Sequence, residues 1–289
     1  LARKNKNILF LGSDLSPGTG NMFKENIPNQ FLMEGISEQH IIGLAAGLAQ
    51  KGFIPYVNTI ASFLLRRAFE QIVIDLCMQN LPVRLIGNGG GLVYAPLGPT
   101  HQILEDFSIL NSLPNISIIA CCDSNEMKKM IKITEKLPGP IYFRLGKGGE
   151  KIITKSRNGD IKFGKCLTFN KPKDILIVTT GITTQLGLEV MQNLNKNQNK
   201  IALLHCSTIK PFDYKTLKKY SKNAKIVISI EEHSIIGGLS SICNNFLIKQ
   251  DKVPKVINFS VGDLFYSKYG NQKSAWDYFG LNAKNIENK

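Results

Sequence analysis

The chain has 289 residues, 43% of them hydrophobic and 20% charged, enough to bury a sizeable core in one large or two medium domains and unlike disordered, collagenous or coiled-coil sequences. The formal charge of +14 raises nucleic acid as a partner. Only 6 of the 36 basic residues are arginine, however, and the lysines are scattered among asparagines, so a base-reading or phosphate-clamping surface is not expected.

Short β-branched runs alternate with helical periodicity along the first half. The start, Leu-Ala-Arg-Lys-Asn-Lys, runs straight into a strand at Ile8–Gly12 without the apolar stretch of a signal peptide. Because the first residue is Leu1, a trimmed or incomplete N-terminus is expected. Further strands are predicted at Phe53–Asn58, Val83–Gly87, Ile116–Ala120 and Ile141–Leu145, with helices near 38–50, 62–79, 101–112 and 124–136. The longest apolar runs, such as Ile41–Ala49, fall short of the roughly 18–20 residues of a bilayer span, so no membrane segment is expected.

A stretch rich in Gly, Lys and Asn follows, from Gly146 to Asp160, and reads as a linker with one short hairpin. Beyond it, strands are predicted at Asp174–Thr180, Ile201–Cys206, Lys225–Ile230 and Lys255–Ser260, with helices near 184–197, 213–221 and 237–249. The pattern predicts an α/β protein of two domains, each a mostly parallel sheet with helices on both faces. The boundaries are placed at 1–147, 148–165 for the linker, and 166–289. Six cysteines without a Cys-x-x-Cys pair, mostly in apolar stretches, point to a reduced, cytoplasmic protein.

Two segments concentrate candidate chemistry. In Gly35-Ile-Ser-Glu38-Gln39-His40, Glu38 opens a helix whose small residues permit close packing, and on spacing alone it reads as an ordinary first-turn acid. The loop from Gly87 to Gln102 is rich in glycine and ends at Gly98-Pro-Thr-His101-Gln. Its glycines after a buried strand permit close approach of a ligand to the backbone. By itself, His101 reads as a cap or core residue. Other patterns fail. Gly159-x4-Gly164-Lys165 has Cys166 where a P-loop needs Ser or Thr, and the glycine loop misses the third glycine of a dinucleotide fingerprint. The four histidines have no zinc-site spacing, and no metal ligand is expected in this chain. Glu231-Glu232-His233 reads as a polar turn at a strand end.

Taken with Asn58-Thr-Ile60-Ala-Ser-Phe63-Leu-Leu-Arg66-Arg67, these motifs, in this order, resemble the transketolase family. More narrowly, the chain resembles the small subunit of split transketolases, relatives of deoxyxylulose-phosphate synthase and the pyruvate dehydrogenase β subunit. The likeness extends to Ile-Glu231-Glu232-His233-Ser-Ile-Ile-Gly237-Gly238-Leu239 of a transketolase C-terminal domain. It implies a pyrimidine-binding domain of the thiamine-diphosphate fold, followed by a transketolase C-terminal domain. Glu38 then matches the catalytic glutamate, which bonds the pyrimidine nitrogen and favours the imino form that deprotonates the thiazolium carbon. Phe63 matches the aromatic residue stacked on the pyrimidine, and His101 the histidine beside the reactive carbon. Further cofactor contacts are implied at Asp14, Ile60 and Arg66.

The family's Gly-Asp-Gly…Asn signature for the diphosphate and its Mg2+ is absent, with Val261-Gly262-Asp263-Leu264 the nearest approach. The resemblance therefore implies half an active site, completed by an α subunit in an α2β2 heterotetramer. Four positions depart from ordinary transketolases. Leu97 replaces the aspartate that contacts the donor hydroxyl, Gly89 a phosphate-contacting histidine, Gly18 a serine, and Lys147 an arginine. The expected reaction is transfer of a two-carbon ketol unit from a ketose to an aldehyde, with a non-standard sugar as substrate and Leu97, Gly89 and Lys147 lining its site. The alternative is decarboxylation of a 2-oxo acid such as pyruvate with acyl transfer; a non-catalytic scaffold subunit is a third.

Overall fold

A computed structural model describes residues 1–13, 20–157, 159–172, 174–196 and 201–289. The first half runs β1 (Ile8–Ser13), α1 (Asn21–Asn26), β2 (Phe31–Glu34), α2 (Glu38–Gln50), β3 (Ile54–Ile60), α3 (Ala61–Arg67), α4 (Phe69–Gln71), β4 (Arg84–Asn88), α5 (Asp106–Asn111), β5 (Ser117–Ala120), α6 (Ser124–Thr134) and β6 (Ile141–Arg144). The second runs β7 (Leu167–Phe169), β8 (Ile175–Thr179), α7 (Thr183–Lys196), β9 (Ile201–His205), β10 (Thr208–Lys210), α8 (Tyr214–Ser221), β11 (Ile226–Ser234), α9 (Leu239–Leu247), β12 (Lys255–Val261), α10 (Gln272–Tyr278) and α11 (Ala283–Glu287). Among the described residues, no helix is long and apolar enough to cross a membrane.

The strands form two sheets, ordered β10-β5-β6-β4-β3-β1-β2 and β12-β11-β8-β9-β7, parallel except at β10 and β7. Alternation along each strand sorts side chains to opposite faces. Ile8, Tyr56, Ile86 and Ile119 join one apolar cluster, whereas their neighbours Leu9, Val57, Leu85 and Ile118 join another. That second cluster also takes Leu176, Val178, Leu204 and Val227 from the other sheet, so a shared apolar layer lies between the two sheets. Ile177, Leu203, Ile228 and Ile230 cover the far face of the second sheet.

Several local expectations change. The predicted 62–79 helix breaks at Ala68 and widens to a π-helical stretch over Ile72–Cys77. The predicted 101–112 helix is helical only from Asp106, since His101 closes a turn on the Gly98 carbonyl. In place of a linker hairpin there is a 3-10 turn at Lys155–Arg157. The Asp123 carboxylate, which caps α6, also accepts from the Ile153 and Thr154 amides and tacks the linker to the first sheet's helix. Strands β2, β7 and β10 have no counterpart among the predicted ones. β10 lies beyond the linker yet adds antiparallel to the edge of the first sheet, pairing with β5.

Glu231, Glu232 and His233 do not form the expected polar turn: β11 continues through them and all three are buried. Arg144, at the end of β6, donates to the Glu232 carbonyl (2.7 Å) and lies 3.2 Å from Asp106 Oδ2. Its guanidinium covers the Phe107 ring at 4.6 Å, and that ring stacks parallel on His233 at 4.9 Å. The Glu232 carboxylate accepts from the Leu92 amide, Gln272 Nε2 and Trp276 Nε1. Burial raises the Asp106 and Glu232 carboxyls, with Arg144 opposing the shift.

His233 donates its Nδ1 proton to the Ser234 carbonyl at 2.8 Å, and Nε2 lies 3.7 Å from Asp106 Oδ1. Burial pushes its pKa down to about 4, against about 6.5 in an unfolded chain. Between those pH values the unfolded state binds the extra proton, so this residue's contribution is complete above pH 6.5 and is lost as pH falls toward 4. The raised carboxyls act in the opposite sense, so the test compares the native protein with His233→Phe. Over pH 7 to 4, urea titration is expected to show the native chain losing about 3 kcal/mol relative to the variant. Parallel stability curves would refute this.

Candidate active site

The chemistry-bearing residues gather at the carboxyl ends of the first sheet's parallel strands, where open α/β sheets hold ligands. Ser13, at the end of β1, donates to the Gly35 carbonyl at 2.8 Å and fixes the turn that enters α2. Glu38 is the first residue of α2, where an acid complements the helix dipole. Its side chain is only 1% exposed, and Oε2 accepts from Arg67 Nη1 at 3.0 Å. The other carboxylate oxygen, Oε1, is buried and has no hydrogen-bond partner among the described residues. A buried carboxyl oxygen with no partner is costly, and it suits a ligand whose polar atom can share a proton with it.

β3 ends at Ile60, which is half-buried, and the chain turns at once into α3. This sharp passage places Phe63 and Arg67 one helical turn apart on the same face. The Arg67 guanidinium lies 4.1 Å from the Phe63 centroid while bonding Glu38, so one cation links the aromatic ring to the acid. His101 meets the Phe63 ring edge-on at 5.0 Å, and its Nδ1 is 2.9 Å from Thr100 Oγ1. Glu38 and His101 thus flank Phe63, the acid reaching it through Arg67 and the imidazole directly.

Arg66 points elsewhere. Its Nε bonds Glu105 at 2.6 Å and its Nη1 the Pro99 carbonyl at 3.3 Å, bracing the loop that carries His101. Neither Arg67 nor Glu105 carries a signal of its own in the sequence. The adjacent arginines differ only in helical phase, and which one faces Glu38 depends on how α3 packs against α2. Asp14 and Gly18 lie outside the described residues. Lys147 is exposed and lines a cavity of about 220 Å³ with Asn88, Cys122, Asp123 and Glu150. Leu97 lies in a 3-10 turn and is 55% exposed.

Beside His101, the Gln102 side chain is buried and neither end of its amide has a hydrogen-bond partner among the described residues. It lines a cavity of about 400 Å³ with Arg66, Glu105, Ser234 and Asp263. The glycine loop serves two purposes. At Gly89 (φ +70°) a Cβ would collide with the Tyr94 ring, which in turn meets His101 edge-on at 6.4 Å. At Gly91 (φ +72°) a Cβ would collide with Glu232 Oε2, so that glycine admits the second domain rather than a ligand.

The family model described as "Transketolase, pyrimidine binding domain" matches residues 1–149, and "Transketolase, C-terminal domain" matches 164–286. The chain is 30% identical to the B subunit of apulose-4-phosphate transketolase from Phocaeicola vulgatus, over 99% of this chain and 91% of that protein. It is 34% identical to 1-deoxy-D-xylulose-5-phosphate synthase of Methylacidiphilum infernorum, over 84% of this chain but 38% of the synthase. The solved structure "Split gene transketolase, inactive beta4 tetramer" superposes with a TM-score of 0.89 at 30% identity, covering 100% of this chain and 92% of that one.

Gly89→Ala would both impose a left-handed backbone on a side-chain-bearing residue and drive Tyr94 from its place. Urea denaturation is expected to show a loss of about 1–3 kcal/mol. An unchanged midpoint would mean that the loop has room the geometry denies.

Proposed function

The chain belongs to the transketolase family, and from that premise we propose that it is the small subunit of a thiamine-diphosphate-dependent transketolase-type enzyme. The reaction is transfer of a two-carbon ketol unit from a ketose donor to an aldehyde acceptor. Members of the family use thiamine diphosphate. One observation carries the reading: Glu38 Oε1, buried and without a partner among the described residues, near the half-buried Phe63 ring, fits a flat heterocycle whose ring nitrogen can share a proton with it.

When bound, the cofactor supplies an acidic thiazolium carbon able to add to a carbonyl. Glu38 would share a proton with the pyrimidine through Oε1, while Arg67 holds Oε2 and keeps the carboxyl from rotating away. Phe63 orients the ring without competing for protons. His101, edge-on to Phe63, would pass protons to and from substrate oxygens, with Thr100 bonded to its Nδ1 and setting its ring orientation. We assign the diphosphate and Mg2+ to a partner α subunit, in keeping with the likeness to a B subunit. The likeness to one subunit of a two-part transketolase supports a split enzyme, and an α2β2 assembly places each cofactor between chains.

Leu97 presents an apolar, exposed side chain where ordinary transketolases read a donor hydroxyl. Together with Gly89, it favours a sugar other than the pentose phosphates of central metabolism. Leu97 and the likeness to the synthase also favour a second reading, in which a 2-oxo acid such as pyruvate is decarboxylated. Assaying the αβ pair with a ketose and with pyruvate as donors separates the two. Rapid turnover of xylulose 5-phosphate with ribose 5-phosphate would refute the altered substrate.

Glu38→Gln keeps the shape but removes the exchangeable charge. In the αβ complex with thiamine diphosphate and Mg2+, kcat is expected to fall about 10²–10⁴-fold, with the thermal midpoint nearly unchanged. Activity within about threefold of the native complex would leave the chain a scaffold.

A further inference from the structure

Cys166 and Cys206 face one another at the end of the β7–β9 ladder. The antiparallel register pairs Leu167 with His205, and one further step sets Cys166 opposite Cys206. Their sulfurs are 3.2 Å apart. Directly opposed residues in such ladders have Cα atoms about 4.5–5.5 Å apart, inside the roughly 4.4–6.8 Å that a disulfide spans. All six cysteines are free thiols, and five are buried; Cys166 alone is partly open. An oxidant arriving from solvent therefore meets Cys166 first, with a second thiol directly behind it.

The pair also occupies a junction. Cys206 ends the run that leads into β10, the strand that crosses to the first sheet, where the Ala120 amide bonds the Ser207 carbonyl at 2.7 Å. Cys166 directly follows the linker, held by its amide to Asp213 Oδ2 at 3.2 Å, and the nearby Gly164 amide bonds Thr208 Oγ1. A bond between the two sulfurs would staple the incoming linker to the segment that joins the two sheets.

We propose that Cys166 and Cys206 form an oxidative modification site, which a peroxide converts to an intramolecular disulfide. The Cys166 thiolate attacks one peroxide oxygen, the O–O bond breaks, and hydroxide leaves and takes up a proton to become water. Cys206 then gives up its proton and attacks the Cys166 sulfur, the S–O bond breaks, and a second water leaves. Two thiols lose two electrons and the peroxide gains them.

The test treats the full chain with hydrogen peroxide, then denatures it, alkylates free thiols and maps peptides by mass spectrometry, with and without dithiothreitol. The expected result is two fewer thiols than the six of the untreated chain, a linked peptide joining residues 166 and 206, and full recovery on reduction. Cys206→Ser should leave Cys166 oxidised without any linked peptide, and Cys166→Ser should retain all its thiols. A full thiol count after peroxide, a sulfinic acid on Cys166 with Cys206 untouched, or a disulfide between other cysteines would overturn the proposal.

Discussion

The guanidinium of Arg144 is the constraint on which the two-domain arrangement turns. A buried cation costs several kcal/mol unless its donors are matched, and here the matching groups come from both halves of the chain. Asp106 and Phe107 come from α5, the Glu232 carbonyl from β11. Tyr142 adds a hydrogen bond to the same Asp106 carboxylate at 3.0 Å. Pulling the domains apart would therefore strand a charge as well as split the apolar layer that they share. A second buried pair repeats the theme, with His205 of β9 bonded to Glu126 of α6 at 2.8 Å. Burial alone would raise the Glu126 carboxyl, but His205 and the Cys122 amide hold it below its ordinary range.

This junction also shapes the candidate site. The loop from Gly89 to Gln102 begins against Arg144 and Glu232 and ends at His101, so its path is set by the domain contact at one end and by Phe63 at the other. Gly91 gives way to Glu232, whose carboxylate accepts from the Leu92 amide. The site residues themselves stand on short, stiff connections: Glu38 on a helix start, Phe63 just after a strand end, His101 in a turn braced through Arg66 and Pro99. Such placement fixes side chains with little freedom to spare, which acid–base work on a bound ring requires.

Much of this is legible in the amino-acid order because it is local. Strand–helix alternation marks the two α/β units, since period-two and period-3.6 apolar patterns are set by neighbours in sequence. The motifs around Glu38, Phe63 and His101 can be picked out because each occupies one continuous stretch. β10 cannot be read: a three-residue strand draws its identity from β5, which precedes it by nearly ninety positions. Nor can the fate of Glu231, Glu232 and His233. Three polar residues at a strand end ordinarily face water, and only partners from distant segments allow them inside.

The sequence by itself determined the fold class, the motifs of the candidate site and the absence of a diphosphate-binding signature, since residue identity and spacing carry those directly. The tertiary structure alone decided that Arg67 rather than Arg66 grips Glu38, that one Glu38 oxygen is left without a partner among the described residues, and that Cys166 and Cys206 meet. Each of these depends on how one element packs against another, through distances between atoms far apart in the chain that no local pattern encodes.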